Sequence, residues 1–337
     1  MKALITAAFH EDGLEILKGH MDVLYESWKE KGKIYTDTSE FINKIKREKA
    51  DVLIVEVDTV DEDVLSACDV KIIGSCRANP VNVEVDAATE HGIPVFYTPG
   101  RNADAVADMT IALMLAQIRH LTEVDRVLKS GEFFINTEED FKNFLIRFSG
   151  PELGGKNVGI IGMGAVGFKV AQRLRHGFGA KILVYDPYVK EERLKAVEAT
   201  AVDLETLLKG SDLVTLHVSV TPETEGMIGE KEFALMKPTA YFFNTARAFA
   251  TDEDALYKAL KDNRIAGAGL DVFDVEPVDS DNRFLELDNV TVTPHIAGQT
   301  VDVVRHQAMM IAEDIARYLT GEEPLHIKNP EVLKRAR

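Results

Sequence analysis

Asn157-Val-Gly-Ile-Ile-Gly162-Met163-Gly164-Ala165-Val166-Gly167 is a short apolar run that closes on three glycines spaced G-x-G-x-x-G. The glycine pattern alone is weak, because glycine is common and six-residue patterns recur by chance. Its surroundings make it specific. A buried strand precedes it, an amphipathic helix from Ala165 to Arg175 follows, and a second strand, Lys181–Tyr185, ends in Asp186, 19 residues after Gly167. That is the layout of a dinucleotide-binding turn. Glycines permit the tight turn and a close backbone approach, leaving the N–H groups of Ala165 and Val166 aimed at a pyrophosphate at the helix N-terminus. Phe168 stands where a P-loop would carry lysine. Asp186 can accept both hydroxyls of an adenosine ribose and repels a 2′-phosphate; Pro187 and Tyr188 follow with no arginine. The cofactor expected is therefore NAD, not NADP.

Strands and helices alternate on both sides of this turn. Before it, strands Lys2–Thr6, Val23–Tyr25, Val52–Val55, Lys71–Gly74 and Pro94–Tyr97 are separated by helical stretches Asp12–Lys18, Ser39–Lys49, Asp61–Ala67 and Val83–His91. Thr98-Pro99-Gly100 breaks the pattern, and one long apolar helix is expected from Ala103 to Lys129. After Ser149-Gly150-Pro151 the alternation restarts with the strand of the glycine turn. It continues through strands Asp212–His217, Ala240–Phe243, Ile265–Leu270 and Val290–Thr293, with helices Asp203–Lys209, Glu230–Met236 and Asp252–Asp262 between. Alternation of this kind means parallel sheets covered by helices. The fold class expected is α/β, with two doubly wound parallel-sheet domains. A last helix, Val301–Leu319, has too little chain beyond it for another domain and is expected to pack on the first one.

Composition agrees with an ordinary globular chain. The 337 residues allow about two domains. With 39 basic and 56 acidic residues the formal net charge is −17, which disfavours nucleic-acid or membrane-surface partners. The most membrane-like stretch, Met109 to Ile118, is roughly half a bilayer span. The N-terminus meets His10, Glu11 and Asp12 before any signal-peptide core, so it is read as a first strand. Two cysteines, Cys68 and Cys76, form neither a disulfide framework nor a zinc pattern, and no metal site is expected. These points indicate a cytoplasmic protein.

Three charged residues directly follow strands of the second domain: Arg247 in Phe-Phe-Asn-Thr-Ala-Arg, Glu276 in Asp-Val-Phe-Asp-Val-Glu-Pro, and His295 in Val-Thr-Val-Thr-Pro-His. Ligands of open parallel sheets bind at the carboxyl ends of the strands, which makes these three the candidate catalytic groups. Singly, each also fits a bland role: surface arginine, loop glutamate, turn histidine.

The motifs Glu152-Leu-Gly-Gly-Lys-Asn-Val-Gly-Ile-Ile-Gly, Leu216-His217, Thr221-Pro-Glu-Thr, Met236-Lys-Pro, Asn244-Thr-Ala-Arg247, Gly267-Ala-Gly-Leu-Asp-Val-Phe and Pro294-His-Ile-Ala-Gly298 occur in one order. Together they resemble the D-isomer-specific 2-hydroxyacid dehydrogenases, the group that includes D-lactate, glycerate and 3-phosphoglycerate dehydrogenases. The resemblance covers about Asn102 to Pro324. It implies a Rossmann cofactor domain, 102–297, inserted into a flavodoxin-like substrate domain made of 1–101 and 298–337. It implies Arg247, Glu276 and His295 as the catalytic set. It places Gly162, Gly164, Ala165, Val166, Gly167, Asp186, His217, Thr245, Ala246, Asp271 and Gly298 around NAD, with His217 contributing backbone. Asp271 would contact the nicotinamide amide, the other reading being a buried capping carboxylate. A homodimer contact is implied near Arg119–Ser149. The chain departs from the family pattern at Ser219 (usually proline), Ala248 (usually glycine) and Asp108 (usually glutamate).

The chemistry fits a 2-oxo or 2-hydroxy acid. Arginine's planar fork can hold the carboxylate and ketone oxygens without losing its proton. A histidine can donate a proton to the ketone oxygen as hydride arrives, and take it back in oxidation. Glu276 beside it would favour the charged ring and fix its orientation. Formate-oxidising relatives lack this glutamate. Relatives that bind NADH only as corepressors offer a non-enzymatic alternative, against which the complete catalytic set argues. For the substrate, the loop Gly74-Ser-Cys-Arg77-Ala78-Asn79-Pro80 is expected to hold a carboxylate on the N–H groups near Ala78 and Asn79. Arg77 adds a cation that one carboxylate does not need. The expected substrate is phosphorylated or dicarboxylic, 3-phosphoglycerate-like. The alternatives are a simple acid of glycerate, glyoxylate or D-lactate type, and an Arg77 paired with Glu84, Asp86 or another acid of this acidic chain.

Overall fold

Five strands, β1 (Lys2–Ile5), β2 (Asp22–Tyr25), β3 (Val52–Val55), β4 (Ile72–Ser75) and β5 (Val95–Tyr97), form one parallel sheet in the order β2-β1-β3-β4-β5. The computed structural model describes residues 1–335; residues 336–337, the end of the expected substrate domain, lie outside the described residues. All four residues of β3 are buried, as a central parallel strand covered on both faces requires. One face is closed by a helix from the far end of the chain. Ala308, Ile311, Ala312 and Ile315 of Val301–Thr320 cluster with Ala3, Ile5, Ile54 and Ile72. Gly74 lets that helix sit close, since a Cβ there would come within 2.8 Å of Ile311 Cγ2. The last helix thus completes the first sheet's core, as its position in the sequence suggested.

Seven further strands form the second parallel sheet: β6 (Asn157–Ile161), β7 (Lys181–Tyr185), β8 (Thr200–Ala201), β9 (Leu213–Leu216), β10 (Tyr241–Asn244), β11 (Gly267–Leu270) and β12 (Val290–Val292). Their order is β12-β11-β10-β9-β6-β7-β8. Chain order reverses at β6, with β7 on one side and β9 on the other, so the crevice at its carboxyl end is the natural ligand position. The two sheets belong to two compact units, Met1–Asn102 with Thr300–Arg337, and Ala103–Gln299. Two parallel-sheet α/β domains are thus present.

The expected helix from Ala103 to Lys129 is two helices, Ala103–Ile118 and Leu121–Ser130. Between them His120 takes a left-handed conformation, φ 52°. The returning chain causes the stop: Gly150 packs so tightly on the end of the first helix that a Cβ would lie 1.7 Å from the Ile118 carbonyl oxygen. Ala107, Ile111, Leu113, Met114 and Ile118 then anchor the first helix in the second unit's core. A third helix, Glu138–Phe148, starts at a capping box of Thr137 and Asp140. The short helices Trp28–Lys31 and Glu191–Ala196 and the strand β8 have no counterpart in the sequence reading, being too short to show a period.

Candidate active site

The glycine turn after β6 is built as its spacing requires. Gly162 sits at φ 90°, and a Cβ there would lie 2.7 Å from the His217 carbonyl oxygen. A Cβ at Gly167 would lie 2.0 Å from the Gly162 oxygen, so glycine closes the turn onto the helix Ala165–Phe178. Gly164 is different: a Cβ there would meet nothing within 4 Å. Its bare backbone faces open space in front of the helix N-terminus, and the N–H groups of Ala165 and Val166 have no partner among the described residues. Asp186, just past β7, sits on this turn. Its Oδ2 accepts from Met163 N at 2.7 Å and its Oδ1 from Tyr188 N at 2.8 Å. Open space, free amides and a carboxylate together fit a dinucleotide.

One neighbour of this turn was not anticipated. Arg193 Nη1 donates to the Met163 carbonyl at 2.7 Å, and its guanidinium lies 5.4 Å from the Phe168 ring centre. It follows Asp186 by seven residues, inside a short helix, and no spacing rule singles it out.

His217 follows β9. Its Nε2 is 3.0 Å from Thr215 Oγ1, while Nδ1 is buried without a partner among the described residues. Burial drives its pKa down to about 3, so the ring is neutral at physiological pH and cannot serve as a proton donor. Its carbonyl, packed against Gly162, is the part that shapes the turn.

After β10 the side chain of Asn244 closes a small loop. Its Nδ2 donates to the Arg247 carbonyl at 2.9 Å and its Oδ1 accepts from Ala246 N at 3.0 Å. Thr245 Oγ1 and Thr110 Oγ1 share a hydrogen bond of 2.8 Å, tying the loop to the helix Ala103–Ile118. Arg247 stands exposed at the loop's end. Its Nη1 donates to the Ala246 carbonyl at 2.7 Å, and it makes no ion pair among the described residues.

The loops after β11 and β12 bring the remaining two groups together. His295 Nδ1 donates to Glu276 Oε2 at 2.6 Å, and Glu276 Oε1 accepts from Phe273 N at 3.1 Å. With Nδ1 committed, Nε2 is the ring atom left for a substrate. His295 is held at φ 56°, a conformation a non-glycine residue adopts only when its surroundings impose it. Both residues line a cavity of about 380 Å³ with Phe273, Pro277, Val278, Pro294 and Gln299.

Asp271, at the end of β11, imposes that conformation. Its Oδ1 accepts from Thr293 Oγ1 at 2.6 Å and from Ile296 N at 2.9 Å; its Oδ2 accepts from Ala297 N at 2.9 Å. The residue has no accessible surface. Asp271 thus clamps the loop that carries His295, as a buried capping carboxylate does. Gly298, the next residue after that clamp, is half-buried. No metal-binding group of His, Cys, Asp or Glu occurs among the described residues.

In the first unit, Arg77 follows β4. Its Nη1 donates to the Glu56 carbonyl at 3.2 Å, and it makes no ion pair with Glu84, Asp86 or any other described residue. Glu56 gives its carboxylate elsewhere, to Arg101 Nη1 at 3.3 Å, Trp28 Nε1 at 3.0 Å and Ala8 N at 3.2 Å. Ala78 and Asn79 are exposed, and their N–H groups have no partner within the described chain.

Comparison with known proteins agrees with this geometry. Residues 111–297 match the family description "D-isomer specific 2-hydroxyacid dehydrogenase, NAD binding domain". The chain is 38% identical over 333 residues to a glyoxylate reductase of Thermococcus litoralis, covering 98% of each. It is 39% identical over 334 residues to a D-3-phosphoglycerate dehydrogenase of Methanocaldococcus jannaschii, covering 98% of this chain but 59% of that protein. Among solved structures, apo D-mandelate dehydrogenase of Rhodotorula graminis superposes with a TM-score of 0.81 at 26% identity, covering 97% of this chain and 96% of that one.

Proposed function

The chain belongs to the D-isomer specific 2-hydroxyacid dehydrogenase family, and within it we propose that it moves hydride between NAD(H) and C2 of a 2-hydroxy or 2-oxo acid that bears a second anionic group. It is an NAD-dependent oxidoreductase of the CH–OH group; the substrate and the residue roles are this proposal. When bound, the nicotinamide supplies or accepts the hydride.

The observation that carries the reaction is the 2.6 Å pair of His295 and Glu276. In reduction, Nε2 of the protonated ring donates to the ketone oxygen as negative charge grows there; in oxidation the neutral ring takes the hydroxyl proton. Glu276 holds the ring by Nδ1 and balances its charge. Arg247, unpaired and exposed, presents its fork to the carboxylate and carbonyl oxygens. Gly162, Gly164 and Gly167 give the pyrophosphate its backbone cradle, and Asp186 takes the ribose hydroxyls.

Arg77 supports the second anion. In a chain of net charge −17 it has no acidic partner among the described residues, beside two exposed and unused backbone amides. A phosphorylated or dicarboxylic acid, 3-phosphoglycerate being one, would use that cation. The coextensive match to a glyoxylate reductase favours a second reading, a simple acid, with Arg77 serving only the Glu56 carbonyl. A panel of 2-oxo acids followed by NADH consumption, on wild type and Arg77→Ala, decides. On the first reading, phosphorylated or dicarboxylic substrates lose at least tenfold in kcat/KM while glyoxylate and pyruvate stay within twofold. Equal effects on both classes overturn it.

We also propose a homodimer through the segment 121–148, which exposes Leu121, Leu128, Phe134, Ile135, Phe141, Leu145 and Ile146. A cytoplasmic location rests on the unpaired Cys68 and Cys76. Among the described residues, no helix is long and apolar enough to cross a membrane.

A further inference from the structure

Met163 is the second residue of the glycine turn, and both sides of its backbone are held. Its N–H is bound by the Asp186 carboxylate at 2.7 Å, and its carbonyl by Arg193 Nη1 at 2.7 Å. Arg193 is fixed in turn by the Phe168 ring, 5.4 Å from its guanidinium carbon, on the first turn of the helix that begins at Ala165. A guanidinium that lies over an aromatic ring and is hydrogen-bonded as well has lost much of its rotamer freedom, so it acts as a fixed strut. Asp186 has no such strut of its own. Its two oxygens bind only backbone N–H groups, those of Met163 and Tyr188, and Tyr188 is 91% exposed. The rigid end of this chain of contacts is therefore Arg193.

We propose that Arg193 is a positioning residue for the adenosine end of the cofactor site: by holding the Met163 carbonyl it fixes the Met163 N–H, and through it the Asp186 carboxylate that meets the ribose. The inference rests on the reading of Asp186 as the ribose-binding acid. Arg193 touches no reacting atom, so its loss should weaken adenosine recognition and leave turnover at saturating cofactor intact. Its effect should also pass through Asp186 and disappear when that carboxylate is absent.

The test is calorimetric titration of ADP-ribose into the wild type, R193A, R193Q, D186A and the double variant D186A/R193A, with steady-state kinetics alongside. Expected is about tenfold weaker ADP-ribose binding in R193A and R193Q. In the same variants KM for NADH should rise similarly and kcat stay within twofold. D186A and D186A/R193A should bind ADP-ribose alike. Unchanged binding in both Arg193 variants, or losses that multiply in the double variant, overturn the inference. If D186A binds ADP-ribose as the wild type does, it is the assignment of Asp186 that fails. Unfolding midpoints close to wild type identify folded variants, and R193Q, which keeps the side chain's stem, serves where R193A does not fold.

Discussion

Glu276 Oε2 lies 2.6 Å from Nδ1 of His295, although 19 residues separate the two. Each sits in the loop that follows its strand, Glu276 six residues past β11 and His295 three past β12, and the parallel pairing of Ala268–Leu270 with Val290–Val292 brings those ends side by side. Asp271 then ties the second loop to the first through Thr293, Ile296 and Ala297. The ring is oriented by a carboxylate on one side and by a strained, clamped backbone below it.

His295→Gln should lower kcat by about 10²–10⁴, the usual scale for a positioned general acid, with NADH binding nearly unchanged. Glu276→Ala should lower kcat as well, because the carboxylate that holds Nδ1 at 2.6 Å and leaves Nε2 for the substrate is gone. Steady-state rates at saturating NADH check both, and a wild-type kcat in Glu276→Ala refutes the pairing.

Asp271→Ala should cost stability as well as rate. Three buried or half-buried donors would lose their acceptor, at roughly 1–3 kcal/mol for each that stays unsatisfied. Urea unfolding should show the loss, and kcat should drop because His295 is no longer held at its positive φ. A variant of wild-type stability and rate would remove the clamp from the account.

Wild-type enzyme should prefer NAD to NADP by about a hundredfold or more in kcat/KM, the scale of two lost hydrogen bonds plus a charge repulsion. Asp186→Ala should reduce that ratio mainly by impairing NAD. Equal use of both cofactors by the wild type would contradict the role of Asp186.

His217 makes a prediction about stability. Its folded pKa, about 3, lies below the ordinary histidine value of 6.5, so the unfolded chain binds the proton more readily. Stability from this group is complete above the unfolded value and is lost as pH falls from 6.5 toward 3, at up to roughly 1.4 kcal/mol per pH unit. His217→Asn should flatten that part of the profile between pH 6.5 and 4. Denaturant titrations of both proteins across this range measure it; parallel curves would exclude the effect.

The apolar segment offers a test of assembly. Phe134 is 61% and Ile146 69% exposed. If a second copy covers them, Phe134→Glu with Ile146→Glu should convert a dimer to a monomer in light scattering. A wild type that is monomeric at micromolar concentration overturns the proposal.

Much of this protein is determined by its sequence. Parallel strands buried on both faces must be apolar throughout, and the helices between them must be amphipathic, so the alternation survives as a pattern along the chain. The glycine turn is equally legible, because Gly162 and Gly167 stand where any side chain would strike backbone. Arg247, Glu276 and His295 were visible as charged residues placed directly after apolar strands. What only the tertiary structure decided has no period. Arg193 reaches Met163 from 30 residues away, and Asp271 becomes a clamp because it is fully buried among loop donors. His217 is kept neutral by burial, and the long helix stops at Ile118 because Gly150 returns against it. Such outcomes depend on which polar atoms meet within hydrogen-bond distance and how far water is excluded from them, and both are properties of the packed molecule, not of residue order.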